Sequence, residues 1–172
     1  GDGKTTLLRI LTGDLVPDTG RVTITNNASI GVLTQAGVGD DAQSVRDWIV
    51  DGEPDHVWAA DAARRGVVEA LLPDVELDRT LGDLSGGERR RVGLVAVLLG
   101  HHDLIVLDEP TNHLDVEAIA FLAEHLQARI RAGLAMLVVS HDRWFLDAVC
   151  NRIWEVHDGI ADPYEGGYAA YV

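Results

Sequence analysis

An α/β fold built on a parallel sheet is predicted, and three observations carry the prediction. A glycine-rich turn, Gly1-Asp2-Gly3, runs straight into Lys4-Thr5-Thr6 and an apolar helical pattern, an arrangement that turns backbone N–H groups toward an anion. Residues 104–107, Leu-Ile-Val-Leu, form a continuous apolar run of the kind a parallel sheet buries on both faces. From residue 86 onward, helix-period and strand-period segments alternate, as parallel strands joined by right-handed crossovers do.

Taken in order, residues 4–11 read as a helix, and 21–25 and 29–33 as short strands paired through the turn-forming Asn26-Asn27. From 44 to about 72 the pattern is helical and broken by Gly52 and Pro54. With the next helix, 86–99, it marks a small helical subdomain over about 43–100. Strand 104–107, helix 116–131, strand 134–139, helix 143–149 and strand 152–156 follow, and His157-Asp158-Gly159 predicts a hairpin turn into a short strand near Ile160. Trp48, Trp58, Trp144 and Trp154 fall on helix or strand positions and are expected to pack.

The 172 residues suit a single domain, 1–172, with 47% hydrophobic residues and enough chain for a real core. No export signal and no apolar stretch near the roughly 18 to 20 residues of a membrane span is present, so a cytoplasmic chain without direct membrane insertion is expected. The net charge of −14, from 28 acidic against 14 basic residues, repels phosphate backbones and argues against bulk nucleic-acid binding. Arg89-Arg90-Arg91 is expected to be a solvated helix face. The single cysteine, Cys150, excludes an internal disulfide and reads as a buried, inert thiol.

Three motifs carry chemistry. Gly1-Asp2-Gly3-Lys4-Thr5-Thr6 matches the second half of the phosphate loop G-x-x-x-x-G-K-[ST]. Its first glycine is missing, so the domain is expected to be truncated at its N-terminal side, without its leading strand or strands. Lys4 is expected to bring a point charge to the β- and γ-phosphates and Thr5 a hydroxyl to Mg²⁺, at a helix N-terminus that itself favours anions. Asp108-Glu109 ends the apolar strand, where ligands bind in open parallel sheets. Asp108 suits a magnesium ion, and Glu109 a general base for water attacking the γ-phosphate. Leu84-Ser85-Gly86-Gly87-Glu88 opens a helix with a hydroxyl and two glycines. Its spacing leaves open an anion site or a simple capping box.

Together these segments resemble the ATP-binding-cassette (ABC) superfamily: GDGKTT for Walker A, Gln35 for the Q-loop, LSGGE for the signature, LIVLDE for Walker B, Asp115 for the D-loop and Ser140-His141-Asp142 for the H-loop. The resemblance implies an ABC ATPase (P-loop NTPase) core using ATP and Mg²⁺. In that family two cassettes stack head to tail. It further implies that Gly1, Asp2, Gly3, Lys4, Thr5 and Thr6 bind ATP, that Thr5, Gln35 and Asp108 hold Mg²⁺, and that Glu109, His141 and Gln35 act in hydrolysis. Ser85, Gly86, Gly87, Glu88 and Asp115 would then face the ATP of a second cassette, in the same chain or a dimer.

The wording Thr111-Asn112-His113-Leu114-Asp115 and the tail with Tyr164, Gly166-Gly167-Tyr168 and Tyr171 are similar to the ABC-F subfamily. That implies twin cassettes without membrane spans, many of which act on ribosomes. The alternative implied by the superfamily is the ATPase subunit of a membrane transporter. Nothing long is inserted between Gln35 and Ser85, where some ABC-F relatives carry a ribosome-contacting arm.

Overall fold

The computed structural model describes residues 3–25, 27–33 and 39–166. Helix α1 (Lys4–Thr12) begins directly at Gly3, whose φ of 86° places it in the left-handed region that glycine enters without strain. Strands β1 (Ile30–Leu33), β2 (Leu104–Asp108) and β3 (Ala135–Val139) form a parallel sheet in that order. The register sets Leu33 beside Leu107 and Asp108 beside Val139. The apolar run of β2 is central, flanked on both sides, and Ile105, Val106 and Leu107 are buried.

Helices α2 (Val45–Val50), α3 (Asp55–Trp58) and α4 (Ala62–Leu71) precede a single 3-10 turn at Leu81–Asp83 and helix α5 (Gly86–Leu99). Seven residues of α5, from Val92 to Leu99, are buried, because the helix packs against α2, α4 and β1 at once. A helix apolar all round belongs in an interior. One hydrophobic cluster joins Val45 of α2, Val67 and Leu71 of α4, Val92 and Val95 of α5, Ile105 of β2, Leu122 and Leu126 of α6 (Val116–Arg131) and Phe145 of α7 (Arg143–Val149).

Four expectations are corrected. Residues 21–25 form no strand: Val22 and Ile24 stay 39% and 47% exposed, and β1 pairs in parallel with β2 instead. A strand without a partner ladder gains nothing from β-prone residues. Strand β4 (Arg152–His157) forms the expected hairpin, antiparallel with β5 (Ile160–Glu165), but lies outside the parallel sheet that the strand-helix alternation would have it join. Its two-residue turn, Asp158-Gly159, has φ of 47° and 78°, and positive φ at both positions matches the strand twist of a tight hairpin.

Trp58 is buried and Trp48 half-buried, but Trp144 and Trp154 are 58% and 50% exposed. Helix α7 buries Phe145 and Val149, four residues apart, which turns Trp144 outward, and outward-facing positions alternate along the start of β4. Finally, the arginine run is no solvated face. Arg89 pairs with Asp41, Arg91 with Asp74 and the Leu71 carbonyl, and Arg90 reaches the backbone carbonyls of Asp108 and Glu109 at the end of β2. An interior helix buries its flanking charges and must pair them. Cys150 is partly buried, and burial pushes its thiol up to about 11, which leaves almost no thiolate at neutral pH.

Candidate functional site

The C-terminal ends of β2 and β3 lie side by side because the strands are parallel, and the two chemical loops leave from there. Asp108, the last residue of β2, is only 3% exposed, and burial raises its carboxyl pKa against a partial opposing pull from Arg90. Glu109 then turns into the left-handed region, φ 51°, and its N–H donates to the Val139 carbonyl at 2.7 Å. This turn aims the Glu109 side chain at the loop after β3. The His141 backbone N–H donates to Glu109 Oε2 at 3.3 Å, and His141 Nε2 lies 3.3 Å from Oε1. The Glu109 side chain is 13% exposed while the His141 ring is 86% exposed. The result is a carboxylate held from behind, with a ring free to meet a ligand.

Ser140 Oγ lies 3.4 Å from Thr111 Oγ1 and accepts the Asp142 N–H at 3.1 Å, while Asp142 caps α7 by accepting the Phe145 N–H. The loops after β2 and β3 are thereby tied together. Lys4, Val139 and Ser140 line one cavity of about 430 Å³ that also holds apolar side chains of α1, β3 and β4. The start of α1 therefore borders the end of β3. Gly3 supplies no side-chain cap to α1, and Thr5 and Thr6 are exposed there. Gly1, Asp2 and Gln35 lie outside the described residues, as do Gly167, Tyr168 and Tyr171.

The signature segment is a full capping box. Ser85 Oγ accepts the Glu88 N–H at 3.3 Å and the Ser85 N–H donates to Glu88 Oε2 at 2.7 Å. Arg79 adds an ion pair to Glu88 at 2.7 Å. Hydrogen bonds from Ser85, then Arg79, hold the Glu88 carboxyl down to about 2. Gly86 faces open space, and a Cβ on Gly87 would touch the His113 ring at 3.4 Å. Asp115 caps α6 by accepting the Ala118 N–H at 2.8 Å. Asp115 and Glu88 thus both have local structural work.

Sequence reasoning missed Arg79 and Arg90 as contributors to this region. The signal was present for Arg90, since the unbroken apolarity of 92–99 marks α5 as an interior helix.

The family model described as ABC transporter matches residues 1–112. The chain belongs to the ABC family.

Among the ABC relatives it resembles is the Energy-dependent translational throttle protein EttA of Mycobacterium tuberculosis, 35% identical over 210 aligned positions that cover all of this chain and 37% of EttA. ABC transporter F family member 5 of Arabidopsis thaliana is 32% identical, with all of this chain and 31% of the relative covered. In a crystal structure of archaeal ribosomal stalk protein aP1 with the archaeal ribosome recycling factor aABCE1, the matching chain aligns with a TM-score of 0.78 at 27% identity, over 95% of this chain and 32% of that one. The chain spans about a third of the length of these ABC proteins. The EttA alignment is longer than the 172 residues here, so EttA carries segments that this ABC chain lacks.

Proposed function

We propose that residues 1–172 form an ATP-binding and ATP-hydrolysing cassette of an ABC-F protein that works with a second cassette at the ribosome. The observation that carries the catalytic part is the Glu109 carboxylate, largely enclosed, gripped by His141 and set at the C-terminal end of β2, next to the end of β3 whose Val139 and Ser140 share a cavity with Lys4. A water in line with the γ-phosphate loses its proton to Glu109 as its oxygen attacks phosphorus, and the bond from phosphorus to the departing ADP oxygen breaks. His141 orients Glu109 through its main chain and offers an exposed imidazole to the γ-phosphate oxygens. Lys4 and the N-terminus of α1 bind the phosphates that Gly1, Asp2, Gly3, Thr5 and Thr6 surround.

The residues present fit Mg²⁺. Asp108 is a buried carboxylate whose charge is unfavourable where it stands, and no described residue donates a hydrogen bond to its side chain. Asp108 with the Thr5 hydroxyl and Gln35 would hold it, and when bound it supplies charge neutralisation on the phosphates.

Ser85, Gly86, Gly87, Glu88 and Asp115 are proposed to face the nucleotide of the second cassette. Ser85 is exposed, Gly86 has open space around it, and Val116 beside Asp115 leaves 78% of its surface exposed. The names of EttA and aABCE1 place those proteins at translation and at the ribosome, and this supports the same site of action here. No helix among the described residues is long and apolar enough to cross a membrane.

The test uses the full-length protein. Glu109→Gln is expected to keep ATP binding and to slow hydrolysis by about 10²- to 10⁴-fold, and steady-state ATPase within about threefold of wild type would exclude Glu109 as the base. The same variant, held closed on ATP, should co-sediment with ribosomes through sucrose. Sedimentation with membranes instead would replace the ribosomal reading with the transporter one.

A further inference from the structure

The side chain of Arg90, on the second turn of α5, crosses to the end of β2. One guanidinium nitrogen, Nη2, donates to the Asp108 carbonyl and to the Glu109 carbonyl, the latter at 3.3 Å. Those carbonyls bracket the residue whose backbone sits at φ 51°, a conformation that a glutamate does not favour by itself. On the other side the Glu109 N–H is tied to Val139. Glu109 is therefore clamped between β3 and α5, and in this backbone turn its carboxylate meets His141. Meanwhile Arg90 Nε is buried without a partner among the described residues. An apolar residue would avoid that unmet donor, so packing alone is a poor reason for an arginine here.

Ser85 caps the start of the same helix, so α5 carries the signature residues in its first turn and Arg90 one turn later on one rigid rod. We propose that Arg90 is a positioning residue that couples the signature helix to Glu109, so that docking of a second cassette's nucleotide on the start of α5 is felt as a change in the orientation of the hydrolytic carboxylate. This rests on Glu109 being the general base. The coupling is mechanical, through two backbone carbonyls, and requires no contact between Arg90 and ATP.

The full-length protein tests it with Arg90→Met, Arg90→Lys, Glu109→Gln and the double variant Arg90→Met/Glu109→Gln, each measured for ATP affinity, KM and kcat. Arg90→Met should lower kcat by about 10- to 100-fold, the scale of a small misplacement of a catalytic group, with ATP affinity and KM within about threefold of wild type. In the Glu109→Gln background the same change should cost nothing further, because both act through one carboxylate. Arg90→Lys keeps one cationic donor and should fall between Arg90→Met and wild type.

Slow turnover in Glu109→Gln with wild-type turnover in Arg90→Met overturns the proposal and leaves the base assignment standing. Losses that multiply in the double variant overturn it as well, since Arg90 would then act independently of Glu109. Wild-type turnover in Glu109→Gln removes the base assignment and the coupling with it. Where Arg90→Met does not fold, Arg90→Lys decides, and turnover equal to wild type there overturns the guanidinium clamp.

Discussion

Glu88 holds the start of α5 through its charge. Its carboxyl is held at about 2 against an ordinary value of 4.5 by Ser85 and Arg79. Because the folded value lies below the unfolded one, the stability it contributes is fully present above about 4.5 and is lost as pH falls toward 2. Glu88→Gln should therefore be less stable than wild type near neutral pH, with the difference shrinking below 4.5, as measured by urea unfolding across that range. An unchanged difference at all pH values would show that the capping box does not depend on the charge. Gly87 separates fold from function in another way. A methyl group there meets His113 at an ordinary 3.4 Å, so Gly87→Ala should fold with unchanged or slightly higher stability, up to about 1 kcal/mol from helix propensity. ATP-driven pairing of cassettes should be lost in the full-length protein. A large fall in melting temperature would instead make Gly87 a structural glycine.

Among the elements, β1 depends on a close approach that no periodicity announces. His102, just before β2, sits over Gly31, and a Cβ on Gly31 would come to 2.7 Å from His102 Nε2. The ring is anchored by Ser29 Oγ at 3.1 Å, so it cannot simply swing away. Gly31→Ala should cost about 1 to 3 kcal/mol of unfolding free energy, the usual scale of overpacking. Adding His102→Ala should return part of that loss. Chemical denaturation of the single and double variants checks both, and additive losses would show that the ring is not the obstacle. Element identity was otherwise largely legible. The helices at 86–99, 116–131 and 143–149 and the strand of β2 follow from apolar spacing. The strand at 21–25 misled, because β propensity says nothing about whether a partner edge is available.

Across the whole molecule, charge decides what the chain can bind. With a net charge of −14 and the arginines Arg89, Arg90 and Arg91 all engaged inside the fold, the 172-residue chain should not retain ribosomal RNA in filter binding, even at low salt. Salt-sensitive retention would show that one of these arginines leaves its carboxylate or carbonyl to meet phosphate. The proposed association of the full-length protein with ribosomes is expected to depend on ATP and cassette closure.

The sequence by itself determined the family, the helix and strand character of most elements, and the residue types of the candidate site, because phosphate loops, capping boxes and buried strands each impose a local spacing that a reader can recognise. Tertiary structure alone decided which of those residues meet. Glu109 and His141 are separated along the chain and come together only because β2 and β3 are parallel neighbours whose C-terminal ends share an edge. The paired arginines were hidden for the same reason: whether a charged run is solvated depends on what packs around the helix that carries it, and the packing of α5 against α2, α4 and β1 is a property of the assembled fold.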